Sequence, residues 1–167
     1  LPEKYQQRIE RMPGVLYCTK FTWFGGVYKD ERNFFPQFAC EADKLFKIFT
    51  ESVIDPKQLD DFIKEKSACI VGIKTMERFG WKIGDKIPLQ GNIYPVDLEL
   101  TVRGIYDGPD TADRSWLVFH FDYFDEALKE ARAPNSGNAG IIMLRTESSG
   151  KMSTVMQSIE SSFASSD

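Results

Sequence analysis

The sequence predicts an α+β fold, for three reasons. Its 167 residues are 42% hydrophobic and 28% charged, a composition typical of a globular protein with an ordinary core. Segments with helical and with strand periodicity follow one another in mixed order. Residues 96–103 alternate between apolar and polar side chains, as in an antiparallel strand that has one exposed face.

Apolar residues at helical spacing predict six helices. The first begins at Pro2 and ends before Pro13-Gly14, and the third begins at Asp55-Pro56, a pair typical of helix starts. The last carries apolar residues at i, i+3, i+4, i+7 and i+11 and is therefore amphipathic. In chain order the six helices cover residues 2–12, 42–49, 56–66, 75–79, 121–131 and 152–163.

Runs of β-branched, aromatic and other apolar residues predict seven strands. Pro36 in the second strand favours an edge or a bulge, because proline cannot donate a ladder hydrogen bond. Gly91-Asn92 lies in the turn between the fourth and fifth strands. The seven strands cover residues 15–24, 34–40, 68–71, 86–89, 96–102, 116–119 and 140–145.

Charge and hydropathy argue against several classes of protein. The formal charge is −4 and no basic cluster is present, which disfavours nucleic-acid binding. A bilayer span needs about 20 mostly apolar residues in a row, and the longest such run here is residues 139–144. The N-terminus has no signal-peptide pattern and no initial Met, so we interpret the chain as a mature product or an excised piece of a longer protein.

Residues for catalysis are scarce. His120 is the only histidine and lies between two phenylalanines, where a structural role is favoured over a catalytic one. A metal site that combines it with Asp122, Asp125 and Glu126 is less favoured, because the spacing matches no signature. Ser149-Gly150-Lys151 lacks the other residues of a phosphate-binding loop. The sequence thus predicts no catalytic residue, metal ligand or cofactor site, and favours a binding or structural module.

The three cysteines do not identify a redox compartment. Cys18, Cys40 and Cys69 cannot all pair within one chain, and their spacing is not that of a zinc site. All three lie among strand-like residues, which favours buried free thiols. A bridge between Cys18 and Cys40 on neighbouring strands is the alternative.

Aromatic residues are the remaining signal, with 13 Phe, 6 Tyr and 3 Trp. Trp23 and Phe24 precede Gly25-Gly26, and Phe34 and Phe35 follow the polar loop, so the four crowd one end of a predicted hairpin. A place in the core is favoured for them. The functional alternative is an exposed apolar groove or tip that contacts a lipid, a peptide or a partner protein.

One combination of motifs is more specific than composition. The chain contains ACIVG at 68–72, FGWKIGDKIPL at 79–89 and LTVRGIY at 100–106. Gly84-Asp85 suits a tight turn that leads into a strand, and Gly104 allows a strand to bend or bulge. These segments resemble the extracytoplasmic (periplasmic) core domain of MacB/FtsX-like ABC transporter permeases. Residues 1–15 resemble the lead-in of that family, and residues 141–167 resemble its closing strand, helix and F-x-x-S ending.

The resemblance implies a two-lobed architecture. Residues 1–54 and 115–167 would form a Porter-like, βαβ-type lobe near the membrane. Residues 55–114 would form an inserted, Sabre-like mixed α/β lobe. The helix start at Asp55-Pro56 and the loop at 108–114 agree with these boundaries.

The function implied by the resemblance is mechanical and non-catalytic. Family members couple ATP hydrolysis by a cytoplasmic ABC ATPase subunit to substrate export, lipoprotein extraction or control of cell-wall hydrolases. The domain would lie on the periplasmic or extracytoplasmic face of the cytoplasmic membrane, with both chain ends close together, in a membrane-embedded, dimeric full-length protein. Its contacts there would be an extracytoplasmic partner protein or the exported substrate.

Two other functions remain as alternatives. The first is a free-standing extracytoplasmic binding protein or chaperone with an aromatic cleft. The second is a small enzyme in which His120 meets a carboxylate or a cysteine within hydrogen-bonding distance.

We predict that the isolated chain is a monomer or a weak dimer, because membrane helices and ATPase subunits make most of the pairing in such permeases. Light scattering in dilute solution should give the monomer mass. A stable dimer would contradict this expectation.

Overall fold

A mixed sheet of eight strands forms the centre of the computed structural model, which describes residues 1–134 and 136–164. The strands are β1 (Val15–Trp23), β2 (Gln37–Cys40), β3 (Val53–Ile54), β4 (Ala68–Gly72), β5 (Lys86–Leu89), β6 (Leu98–Asp107), β7 (Leu117–His120) and β8 (Ile141–Thr146). The helices are α1 (Glu3–Glu10), α2 (Leu45–Ile48), α3 (Pro56–Lys64), α4 (Ile73–Phe79), α5 (Phe121–Glu130) and α6 (Ser149–Phe163). Residues 165–167 of the family-like ending lie outside the described residues.

The strand order is β3-β6-β4-β7-β2-β1-β8. Strand β5 pairs with β6 on the same edge as β3, opposite β4. The pairs β4–β6 and β2–β7 are parallel, and the other pairs are antiparallel. The predicted mixture of helices and strands is therefore confirmed.

Helix boundaries follow local chemistry that the sequence displays. The Asp55 carboxylate accepts hydrogen bonds from the backbone N–H groups of Lys57 and Gln58 at 2.9 and 3.1 Å, which caps the start of α3. Helix α4 ends at Gly80, whose φ of +66° is easily adopted only by glycine. The predicted start of α3 and the predicted end of α4 are confirmed, whereas α3 ends at Lys64 rather than at residue 66 and α4 begins at Ile73 rather than at residue 75.

Some strand boundaries differ from the prediction. The second strand begins at Gln37 rather than at residue 34, because Pro36 precedes it and residues 24–36 form an irregular loop. Strand β7 begins at Leu117, one residue after the start of the sixth predicted strand. The short strand β3 was not predicted, because a strand of two residues is too short to show an alternating apolar and polar pattern. Strand β6 continues beyond residue 102 to Asp107.

A β-bulge explains how β6 continues. Its pairing with β4 skips Arg103, and Gly104 follows this extra residue. Because strand side chains alternate between faces, one extra residue moves all later side chains to the opposite face. Leu100 and Val102, before the bulge, belong to one hydrophobic core, whereas Tyr106, after it, belongs to another.

The two cores lie on opposite faces of the sheet. The first is larger and packs α4 and α5 against the sheet through Met76, Phe124 and Leu128. The second packs α2 and α3 through Leu45 and Phe62. Fully buried leucine, isoleucine and phenylalanine side chains each stabilise the fold by about 1.5–3 kcal/mol.

The sheet is continuous across the boundary between the predicted lobes. Strand β4, from the predicted insertion, pairs antiparallel with β7, which follows it. Strand β3 belongs to the first segment and pairs with β6. The first core likewise combines Phe35 and Ala39 with Val71 and Met76. The two-lobed division therefore stays a prediction.

Helices α1 and α6 contact each other near the described ends of the chain. Arg8 donates a hydrogen bond to the carbonyl oxygen of Ser162 at 2.7 Å, and its guanidinium lies 4.3 Å from the ring of Phe163. The rings of Tyr5 and Phe163 meet edge to face at 4.8 Å. This contact confirms that the start of the first helix and the end of the last lie together.

Gly72 allows the loop that precedes β7 to pass close to the end of β4. Its N–H donates to the carbonyl oxygen of Trp116 at 2.9 Å, and the N–H of Lys74 donates to that of Arg114 at 3.1 Å. A Cβ atom at Gly72 would overlap the backbone of Arg114 and Ser115. The loop can approach this closely only because residue 72 has no side chain.

Replacement of Gly72 by alanine should therefore destabilise the protein. We expect Gly72→Ala to lower the free energy of unfolding by about 1–3 kcal/mol, the usual cost of overpacking, as measured by urea denaturation. Gly150→Ala is the control, because its nearest neighbour is Ser148 Oγ at 3.8 Å and alanine favours a helix. Equal stability of both variants would refute the steric explanation.

Candidate binding cleft

The structure separates the four predicted contact residues into two pairs. Phe24 and Phe35 are 0% and 2% exposed, so both belong to the core and cannot reach a partner at the surface. Phe34 is 63% exposed, and Trp23 is half-buried beside it with ring centroids 6.0 Å apart. Contact of Trp23 and Phe34 with a partner stays a prediction, and the buried pair drops out of the set.

Trp23 and Phe34 form one end of a longer row of aromatic side chains. We define the aromatic row as Phe34, Trp23, Phe38, Trp116 and Phe49. Successive ring centroids in the row are 6.0, 5.2, 4.8 and 5.6 Å apart, within the range of favourable aromatic contacts. Phe34 is exposed and the other four are half-buried, so the row is accessible from solvent along its length.

The row ends in a cavity of about 380 Å³ on the face of the sheet that carries α2 and α3. We call this cavity the cleft. One wall is α2 with the residues that follow it, another is the end of β6, and the third is the loop before β7. The residues lining the cleft are Leu45, Phe46, Ile48, Phe49, Thr50, Glu51, Ser52, Tyr106, Ala112, Asp113, Trp116 and Val118.

Tyr106 joins two walls of the cleft. Its hydroxyl donates to the carbonyl oxygen of Asp113 at 3.0 Å and accepts from the N–H of Trp116 at 3.0 Å. Burial raises the pKa of Tyr106 above its ordinary value, so this hydroxyl stays protonated and keeps both roles. The bulge at Arg103 is what directs Tyr106 to this face of the sheet.

The charged residues that line the cleft, Glu51 and Asp113, are both acidic. Burial raises the pKa of Asp113, but hydrogen bonds from the Ser115 hydroxyl and N–H outweigh it and hold the pKa below its ordinary value. The neighbouring Arg114 is held in ion pairs with Asp107 at 3.3 Å and Asp110 at 3.2 Å. The cleft is therefore apolar in its body, and its own charged lining residues are negative, with Lys74 as a nearby cation that also lowers the pKa of Asp113.

His120 has a structural role. It is 9% exposed, its Nε2–H donates to the carbonyl oxygen of Phe62 at 2.7 Å, and its ring packs on the Phe62 ring at 4.6 Å. Burial lowers its pKa, an effect that the hydrogen bond to Phe62 only partly opposes. Within the described residues no group of three metal-ligating side chains is assembled.

The cysteines are buried free thiols, so the alternative Cys18–Cys40 bridge is absent. Burial raises the pKa of Cys18 to about 12 and also raises the pKa values of Cys40 and Cys69. Because the thiolate is the reactive form, these side chains are poor nucleophiles at neutral pH.

The two glycines of the sequence motif, Gly84 and Gly104, lie at a turn and beside a β-bulge. Gly84 has a φ of +94°, and the Asp85 carboxylate accepts from the N–H of Lys82 at 2.9 Å, just before β5. Gly104 lies directly after the bulge of β6, where a Cβ would come within 2.8 Å of the Ile54 side chain. Both residues therefore shape the backbone rather than contact a ligand.

None of the residues that line the cleft was predicted as a site. Phe46 and Phe49 belong to the second predicted helix and Trp116 to the sixth predicted strand, and the structure leaves all three half-buried. The sequence carried no signal for this site, because it predicts a helix over residues 42–49, whereas the structure has only the four residues Leu45–Ile48 in helix α2.

Solved extracytoplasmic domains have the same fold. The chain matches the extracellular domain of the noncanonic ABC-type transporter YknZ from Gram-positive bacteria with a TM-score of 0.65 at 14% identity, over 98% of this chain and 84% of that one. It matches the periplasmic region of MacB from Actinobacillus actinomycetemcomitans with a TM-score of 0.60 at 12% identity, over 96% and 73%. No family model and no curated protein matches the sequence.

These matches confirm the resemblance at the level of the fold. The chain has the fold of the extracytoplasmic domains of ABC-type transporter permeases. None of the helices in the described residues combines the length and the apolar character needed to cross a membrane.

The single histidine allows a direct test of its structural role. The imidazole NMR signal of His120 should titrate with a midpoint below 6.5, the ordinary value. Since the unfolded chain then takes up a proton first, the free energy of unfolding should fall as the pH is lowered through 6.5. His120→Gln should remove this part of the pH dependence. A midpoint at or above 6.5 would contradict burial of the neutral ring.

Proposed function

We propose that this chain is the extracytoplasmic domain of a MacB/FtsX-like ABC transporter permease. In this proposal it has no catalytic residue or cofactor of its own. It couples ATP hydrolysis by a cytoplasmic ABC ATPase subunit to substrate export or to control of a partner protein outside the membrane. The fold shared with the YknZ and MacB domains over nearly the whole chain is the observation that carries the proposal.

The arrangement of α1 and α6 supports this function. Arg8 and Tyr5 of α1 contact Ser162 and Phe163 of α6, so the two helices meet at one end of the domain. Membrane helices that continue from these two ends would enter the bilayer side by side. A displacement of one relative to the other would then reach the sheet through β1 and β8, which pair directly.

The cleft favours a second candidate function. A cavity of about 380 Å³ with four aromatic lining residues agrees with a free-standing extracytoplasmic binding protein or chaperone. The two candidates differ in their partners, because only the permease domain associates with an ABC ATPase.

Cysteine labelling in intact cells tests the location. The native thiols are buried, whereas position 34 is exposed. We expect Phe34→Cys in the full-length protein to react with a membrane-impermeant maleimide in intact cells or spheroplasts. The unmodified protein is the control and should stay unlabelled. Labelling only after the cytoplasmic membrane is permeabilised would overturn both candidates.

Affinity purification of the full-length protein in mild detergent separates the candidates. The permease proposal predicts that an ABC ATPase co-purifies and hydrolyses ATP. Recovery of a labelled, extracytoplasmic protein without an ATPase would reject that proposal and favour the binding protein.

A further inference from the structure

The cleft has the size of a small-molecule site. Its volume of about 380 Å³ lies within the range of roughly 300–1,000 Å³ that such sites occupy. Four lining residues, Thr50, Glu51, Ser52 and Asp113, are polar, and the remaining eight are apolar or aromatic. An apolar body of modest size would therefore be largely desolvated in it.

The acidic residues of the cleft favour ligands that carry a positive charge. Glu51 is exposed at the rim, and Asp113 lies on the opposing loop. Arg114, next to Asp113 in the chain, is already bound to Asp107 and Asp110. Lys74 is near enough to lower the pKa of Asp113, but the two lining carboxylates outnumber it. A cation would therefore gain Coulomb energy here, whereas an anion would be repelled.

The aromatic rings that line the cleft also favour a positively charged ligand. Phe46, Phe49, Tyr106 and Trp116 line the cleft, and the negative faces of such rings attract ammonium groups by about 0.5–2 kcal/mol. Trp116 and Phe49 meet at 5.6 Å with nearly perpendicular planes, so one face of the pair can border the cleft. Apolar contact, carboxylates and ring faces thus point to one ligand chemistry.

We propose that the cleft binds small amphipathic cations, molecules in which an apolar part is joined to a positively charged group. The apolar part occupies the space between α2 and Trp116, and the cationic group lies at the rim between Glu51 and Asp113. This inference goes beyond the proposed function and holds for either candidate, because it concerns the chain alone.

Three probes with the same alkyl chain test the proposal: octyltrimethylammonium chloride, octanol and sodium octyl sulfate. Each is titrated below its micellar concentration into the ¹⁵N-labelled chain. We expect octyltrimethylammonium to shift the amide signals of residues 49–52 and 112–116 in a saturable way. Octanol should bind more weakly and octyl sulfate weakest. Higher salt should weaken binding of the ammonium probe and leave octanol unchanged.

Two test variants and one control separate the contribution of charge to binding from the contribution of cavity shape. Glu51→Gln keeps the size of an exposed side chain, and we expect it to weaken binding of the ammonium probe about threefold without affecting octanol. Glu160→Gln, on the exposed face of α6, is the matched control and should not change either affinity. Ala112→Leu places a larger side chain in the lining and should weaken binding of the ammonium probe and of octanol.

Each contrary outcome overturns the proposal. Equal binding of all three probes would mean that the cleft recognises only apolar surface. Equal effects of Glu51→Gln and Glu160→Gln would mean that the rim charge has no local role. Concentration-dependent shifts of the same signals without any probe would mean that a second copy of the chain covers the cleft.

Discussion

The change of face within β6 is the constraint on which both cores and the cleft depend. This strand pairs with β4 along one edge and with β5 and β3 along the other, so an error in its register would spread to three neighbours. The extra residue at Arg103 lets one strand supply Leu100 to the first core and Tyr106 to the second. Without the bulge, the Tyr106 hydroxyl would point away from Trp116 and Asp113, and the cleft would lose the bond that joins two of its walls.

The cleft is built from the ends of elements rather than from their middles. A one-turn helix, the last residues of β6 and the loop before β7 enclose it. Gly72 brings that loop close to β4, and Tyr106 holds it from the other side. Short elements leave aromatic side chains half covered, and the backbone hydrogen bonds around them keep the opening defined. A rigid frame with an adaptable rim is the usual construction of a binding site on loops.

Local chemistry explains which parts of the molecule were predictable. Asp55-Pro56 and Gly80 determine helix ends through contacts within three or four residues, and the sequence shows them directly. The cleft depends on contacts between residues far apart in the chain, such as Phe49 with Trp116. The hairpin aromatics illustrate the same limit, because composition cannot distinguish buried Phe24 and Phe35 from accessible Trp23 and Phe34. The resemblance to permease domains identified the fold that periodicity alone left as α+β.

Helix α6 is attached to the domain by few buried side chains. Val155 is the buried residue of this helix among those described, and Met152 and Met156 are exposed. Local opening costs less free energy where little apolar surface is buried. Separation of α6 from the sheet would therefore cost far less than separation of any central strand, and its hydrogen-exchange protection would be correspondingly low. The last helix can thus change position while the eight-stranded sheet remains folded.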